Sequence, residues 1–327
     1  MTDATLGQRF RAGIVAALSR LVCFLPEGPV DAIGDRIGDA WLRLAPGRAS
    51  LARRNLQRVV RYLAERELGG PEIAAAASDG AALERLLHAT FRQTVRYYLD
   101  VARLPGRHPA DVDARLQIET PDAVSRAFGP DAPVLLAAMH YGEIEFPAML
   151  AASRTGRPVM APMETIDDPA LQDWIRRTRS ATGVQPVPLR DARRSLLNAL
   201  ADGQTVGLLA DRNVAGGVID VSFFGSIAPL PMGPALLAVE SGRPIYLAAI
   251  RRTGGRHYLG GLYPVAVASE GRRRERVEAT MRNLATAMEA AIALAPEQWW
   301  GLLSPIWPDL DPRALVGTGR LEPKAAA

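Results

Sequence analysis

One cysteine, Cys23, stands in 327 residues. It can form no intrachain disulfide and no cysteine-based zinc site, so cysteine usage fits a reducing compartment. The four histidines, His88, His108, His140 and His257, are scattered without HExxH or related ligand spacing, and no metal is expected. GxSxG is absent, and Cys23 lies in an apolar stretch, so no protein nucleophile is flagged by its context. Aromatic residues are 6% of the chain and do not interleave with basic ones, which argues against nucleic acid as a partner. Long apolar runs are also missing. Residues 12–25 are cut by Arg20 and end at Pro26, and the charge-free stretch 221–239 contains Pro229, Pro231, Pro234 and two glycines, so it reads as loop then helix. The start, with Asp3 and no small-residue cleavage pattern, does not read as a signal peptide.

What is present describes a folded chain: 48% hydrophobic, 23% charged, with a formal net charge of +4. The basic residues are nearly all arginine, a composition suited to acidic partners: phospholipid headgroups, phosphorylated cofactors or nucleic acid. Residues 1–105 read as a helical, membrane-associating segment. Its first helix, 6–25, sets Arg9, Arg11 and Arg20 against Leu6, Phe10, Ile14, Leu18 and Leu21, a pattern shared by packed surface helices and interfacial anchors. Helices follow at 29–45, 48–66 and 81–103, the second of them rich in arginine, with Pro105 closing the segment.

From residue 106 to 312 strands and helices alternate. Strands are expected at 116–118, 133–139, 158–163, 184–189, 205–210 and 244–251, with 256–262 pairing with the last or continuing the sheet. Helices fall at 121–128, 143–154, 168–182, 191–201, 233–241 and 272–294. Such alternation predicts an α/β fold with a mostly parallel central sheet and helices on both faces. The early arginines of helix 272–294 oppose its macrodipole and point to contacts rather than to helix stability. Residues 313–327 read as a disordered tail.

The stretch with most chemical content is Val134-Leu-Leu-Ala-Ala-Met-His140-Tyr-Gly-Glu-Ile-Glu145. An apolar run stops at a histidine, and a carboxylate follows five residues later. In one continuous helix that spacing is a rotation of about 140°, and the two side chains cannot meet. A strand ending at Met139, a turn at Gly142 and a helix beginning near Glu143 bring them together. Glu145 would then fix the His140 tautomer while the other ring nitrogen takes a proton from an alcohol. On spacing alone a routine strand-end histidine and a first-turn carboxylate account better for the pattern than a dyad does.

The segment resembles the His-x4-Asp/Glu motif of the glycerophospholipid acyltransferase superfamily. More narrowly, the chain resembles the bacterial family that includes lipid A late acyltransferases and phosphatidylinositol mannoside acyltransferases. Further blocks agree in order: Arg53-Arg-Asn-Leu56, Arg179-Ser-Ala-Thr-Gly183, Leu208-Leu-Ala-Asp211-Arg212, Val221-Ser-Phe-Phe-Gly225, Pro231-Met-Gly-Pro-Ala235, Ser241-Gly-Arg-Pro244, Glu297-Gln-Trp-Trp300 and Trp307.

The resemblance implies an O-acyltransferase that moves a fatty acyl group from acyl-CoA or acyl carrier protein to a glycolipid hydroxyl. It would need no cofactor and would sit on the cytoplasmic face of the inner membrane against an anionic surface. His140 would be the base and Glu145 its partner. Glu164 and Arg179 look like the family's pair lining the donor or acceptor site. Asp211 and Arg212, at a strand end, would bind substrate, the arginine gripping a phosphate. The mannoside type is favoured by the arginine and alanine content; a lipid A acyltransferase, an acyl thioesterase and a non-catalytic lipid-binding protein are the alternatives.

Overall fold

The computed structural model describes residues 4–129, 133–189, 192–212, 216–255 and 257–311. The expected tail at 313–327 lies outside the described residues. The chain opens with five helices: α1 (Leu6–Phe24), α2 (Glu27–Leu44), α3 (Pro46–Glu65), α4 (Gly70–Ser78) and α5 (Gly80–Arg103). Their ends follow from local chemistry. Thr5 and Gln8 form a capping box on α1, Pro46 occupies the first turn of α3, and the Asp79 carboxylate accepts from Ala81 and Ala82 at the start of α5. Leu56, Val59, Val60 and Leu63 of α3 are fully buried with Leu87 and Phe91 of α5. Removing each such side chain from water stabilises the fold by about 1.5–3 kcal/mol.

The remainder is α/β, as the alternation predicts. A short helix α6 (Val112–Arg115) leads into β1 (Leu116–Ile118), α7 (Pro121–Ala127), β2 (Leu135–Ala138), α8 (Phe146–Thr155), β3 (Val159–Met163), α9 (Pro169–Ala181), β4 (Val184–Pro188), α10 (Ala192–Ala201) and β5 (Val206–Leu209). After β6 (Val218–Phe223) and β7 (Ser226–Pro231) come α11 (Gly233–Ser241), β8 (Ile245–Gly254), β9 (His257–Val265) and α12 (Arg273–Ala293). The main sheet has seven strands in the order β1-β9-β8-β2-β5-β3-β4. Every neighbouring pair is parallel except β8 and β9, which form an antiparallel hairpin.

Both faces of the sheet are covered. Along β2 the side chains alternate: Leu135, Ala137 and Met139 enter the core shared with α3, α10, α11 and α12, while Val134 and Leu136 enter a second core with α7 and α8. β2 and β5 run side by side at the centre, with Ala138 opposite Leu209, so the residues just past their carboxyl ends emerge together.

The stretch 221–239 departs from its expectation of loop then helix. Residues 218–231 form an antiparallel hairpin outside the main sheet, and only then does α11 begin. Pro229 and Pro231 are tolerated because β7 pairs on one side only. Phe224 and Gly225 at its tip both have positive φ, 48° and 74°, the requirement of a tight two-residue hairpin turn.

Candidate active site

His140 stands two residues beyond β2 and Asp211 two residues beyond β5, and the parallel register of the strands sets them side by side. His140 Nδ1 is 2.8 Å from Asp211 Oδ1, and the His140 backbone N–H donates to Asp211 Oδ2 at 2.9 Å. Both residues are buried. Burial alone would push the Asp211 carboxyl up, but the charge and hydrogen bonds of His140 and the Trp299 indole together hold it below the usual carboxylate range. An ionised Asp211 accepts from Nδ1–H, which leaves Nε2 as the basic nitrogen.

The expected pairing of His140 with Glu145 is therefore corrected. Helix α8 begins at Phe146, and Glu145 occupies its N-cap position, where it accepts from Arg179 Nε at 3.1 Å and Nη2 at 3.0 Å. The physical reason lies in the turn. Gly142 has φ of +54°, and a Cβ there would lie 2.0 Å from the Ile250 carbonyl oxygen. Glu143 N–H donates to that same carbonyl at 3.0 Å. The backbone thus runs flat against β8 before the helix starts, and Glu145 faces α9. Arg179 is held charged chiefly by the Glu145 carboxylate.

The expected Glu164–Arg179 pair is likewise split. Glu164, just after β3, pairs with Arg212 at 2.7 Å, and both side chains are partly exposed. Arg212 Nε is buried, with no hydrogen-bond partner among the described residues. Asp211, expected to touch substrate, is instead the partner of the histidine, with its side chain fully buried.

Two cavities meet at this place. One of about 100 Å³ is lined mainly by apolar residues of β2, β3, β4, β5 and α8, with Glu145 and Arg179 as its charged lining. The other, of about 290 Å³, is lined by His140, Glu164, Arg212 and the start of α11 at Gly233 and Pro234. They share Pro162, Leu208 and Leu209. The first turn of α11 has no side-chain cap. Its early N–H groups lack intrahelical acceptors and carry the positive end of the helix dipole.

Further residues hold this centre, and among them Asp100, Arg107 and Arg252 were not singled out from sequence. Tyr141 and Trp299 form an isolated antiparallel bridge, Gly142 N–H donates to the Gln298 carbonyl at 3.0 Å, and Trp300 N–H donates to the His140 carbonyl at 2.9 Å. The Trp300 ring meets the imidazole edge-on, with centroids 4.4 Å apart, and stacks on Tyr97 of α5 at 4.8 Å. Beneath the turn lies a buried ionic cluster of Asp100, Arg107, Arg252 and Glu143. Burial and the neighbouring Asp100 carboxylate push Glu143 well above the usual range, against the pull of Arg107. For Asp211 a signal did exist: it follows an apolar run that ends, as the run before His140 does, at a strand terminus. Among the described residues no group of three or more histidine, cysteine, aspartate or glutamate side chains is placed to hold a metal ion.

Residues 71–306 match the family described as bacterial lipid A biosynthesis acyltransferase. A phosphatidylinositol mannoside acyltransferase of Mycolicibacterium smegmatis is 28% identical over 312 residues, covering 93% of this chain and 94% of that protein. Proteins of the same name from two strains of Mycobacterium tuberculosis are 28% identical over 232 residues, covering 68% of this chain and 70% of theirs.

Proposed function

The chain belongs to the bacterial lipid A biosynthesis acyltransferase family, an O-acyltransferase of lipid biosynthesis, and from that premise we propose that it moves a fatty acyl group from an acyl thioester, acyl-CoA or acyl carrier protein, to a hydroxyl of a phosphatidylinositol mannoside. The observation that carries the reading is the buried His140–Asp211 pair beside an apolar cavity. Among the described residues no serine hydroxyl or cysteine thiol is hydrogen-bonded to the ring.

In this reading the acceptor hydroxyl gives its proton to His140 Nε2 as its oxygen attacks the thioester carbonyl carbon. A C–O bond forms and the carbonyl oxygen takes the negative charge. The imidazolium is held by Asp211. The intermediate collapses with cleavage of the C–S bond, and the leaving sulfur takes the proton back from His140. General-base assistance of this kind contributes roughly 10²–10⁴ in rate. The Gly233 backbone N–H, at the start of α11 in the lining of the same cavity, stabilises the oxyanion.

The acyl chain lies in the apolar cavity between β3, β4 and β5. Glu145 and Arg179, neutralising each other, hold its wall. Arg212, with Glu164 beside it, meets phosphate at the polar mouth. Among the described residues no helix is long and apolar enough to cross a membrane. On α1, however, Leu6, Phe10, Leu21 and Phe24 are exposed next to Arg9 and Arg20, with no acidic residue in the helix. This face suits an anionic bilayer surface, with the enzyme peripheral on its cytoplasmic side.

The test is mass spectrometry of lipid products from the purified chain given palmitoyl-CoA or palmitoyl carrier protein with vesicles holding mannosylated phosphatidylinositol or a lipid A precursor. The expected product is an acylated mannoside. Acylated lipid A precursor would move the chain to the other branch. Free fatty acid alone would make it a thioesterase, and no turnover would leave lipid binding.

A further inference from the structure

We propose that Trp299 is a positioning residue of the catalytic centre, which sets how strongly Asp211 holds the proton on His140. The inference rests on the reading of His140 as the base. Trp299 follows the helical part of the chain in a short irregular segment, and its side chain is fully buried. Its indole N–H donates to Asp211 Oδ2 at 2.8 Å. That oxygen also accepts the His140 backbone N–H, while Oδ1 takes the imidazole Nδ1. Among the described residues no arginine or lysine forms an ion pair with Asp211; the histidine is its one ionic partner. The carboxylate charge is therefore shared between a ring that gains a proton during the reaction and a neutral donor that does not.

The indole is held by its surroundings rather than by the dyad. Its ring packs on Phe223, Phe224 and Trp307, with centroids 5.6, 5.9 and 6.3 Å away. A Cβ on Gly301 would lie 2.5 Å from Trp299 Nε1 and 3.1 Å from Asp211 Oδ2, so the chain passes against this bond with room for glycine alone. The flanking backbone is tied to the catalytic turn at His140 and Gly142, and the Gln298 side chain brackets Arg252 through both its N–H and its carbonyl at 2.8 Å. The Gln298–Trp300 segment thus fixes the histidine's backbone and its partner's carboxylate together.

Withdrawing the indole donor concentrates negative charge on Asp211. The carboxylate then holds the Nδ1 proton more tightly, the imidazolium becomes easier to form, and the base is blocked up to a higher pH. Loss of one neutral hydrogen bond corresponds to a move of roughly half to one pH unit.

The experiment compares pH profiles of kcat/KM for wild type, Trp299→Phe and Trp307→Phe in the acyl-transfer assay, with thermal unfolding of each. Trp307 belongs to the same aromatic cluster and donates to the Phe223 carbonyl, without touching Asp211. Trp299→Phe is expected to move the acid limb upward by about half a unit or more and to lower the plateau roughly tenfold. Trp307→Phe is expected to lose stability with the limb unmoved. If Trp299→Phe does not fold, 3-benzothienylalanine at position 299, which keeps the ring and replaces N–H by sulfur, is expected to show the same upward move. A limb that stays in place in the Trp299 variants overturns the inference, whatever happens to stability. Turnover surviving in His140→Gln would instead overturn the reading of the base on which it rests.

Discussion

Asp211 Oδ1 and the imidazole Nδ1 are 2.8 Å apart in a buried place. Asp211→Asn keeps the shape but can present N–H to Nδ1, turning the ring to the wrong tautomer. Activity should then fall by roughly 10²–10⁴ in kcat with KM little changed, read by initial rates over substrate concentration. Glu145 and Arg179 make a different prediction. Glu145→Gln leaves the guanidinium without its counter-ion, an effect on the order of 3–5 kcal/mol for a fully buried pair and less here because Arg179 is partly exposed. The double variant Glu145→Leu with Arg179→Met should recover much of that stability in thermal unfolding; recovery would show a pair that supports the cavity wall. From sequence, the strand-turn-helix reading and the resemblance to the His-x4-Asp/Glu motif suggested a contact between His140 and Glu145. The structure shows that register between two distant strands decides the histidine's partner, and that one-dimensional proximity does not carry this information.

Regular elements were legible where a single period governs them. The apolar run into His140, the buried side of α3 and the strand-helix alternation from residue 116 all appear as expected, because burial on one or both faces dictates the pattern. The β6–β7 hairpin was not legible. Three prolines and two glycines in a charge-free stretch are loop signals, and only the lone pairing of β7 outside the main sheet makes Pro229 and Pro231 acceptable there. From sequence the early arginines of α12 point to contacts, while α3 reads only as rich in arginine. In the fold Arg53 pairs with Glu84, Arg58 with Asp309 and Arg273 with Glu240, so much of this basic surface is answered within the chain. The α2–α5 junction yields a pH prediction. The Arg92 guanidinium, with His88 beside it and against the effect of burial, holds the Asp39 carboxyl down to about 2. A depressed carboxyl stabilises the fold above its unfolded value near 3.9 and loses that contribution as pH falls toward 2. Asp39→Asn should therefore narrow the stability difference between pH 5 and pH 2.5 relative to wild type, as measured by denaturant unfolding at both values.

For the whole molecule, the fold places the buried His140–Asp211 pair at the carboxyl ends of two central strands, beside one apolar cavity and one of mixed lining. Helix α1 lies along α9, tied by Arg11 to Asp168, with its other face apolar and open. Under the proposed membrane reading, Phe10→Glu with Phe24→Glu should lower binding to anionic vesicles by more than about tenfold in co-sedimentation while leaving thermal stability within about 0.5 kcal/mol, since both rings are exposed. Added salt should weaken wild-type binding as well, through screening of Arg9 and Arg20. In the proposed reaction His140 takes the acceptor's proton during direct transfer. The most direct measurement of that step is the initial rate of acylated glycolipid formation by His140→Gln and wild type in the same vesicles, with thermal unfolding confirming that both are folded. A fall of at least about 100-fold in the folded variant is predicted; a rate close to that of wild type would contradict the account.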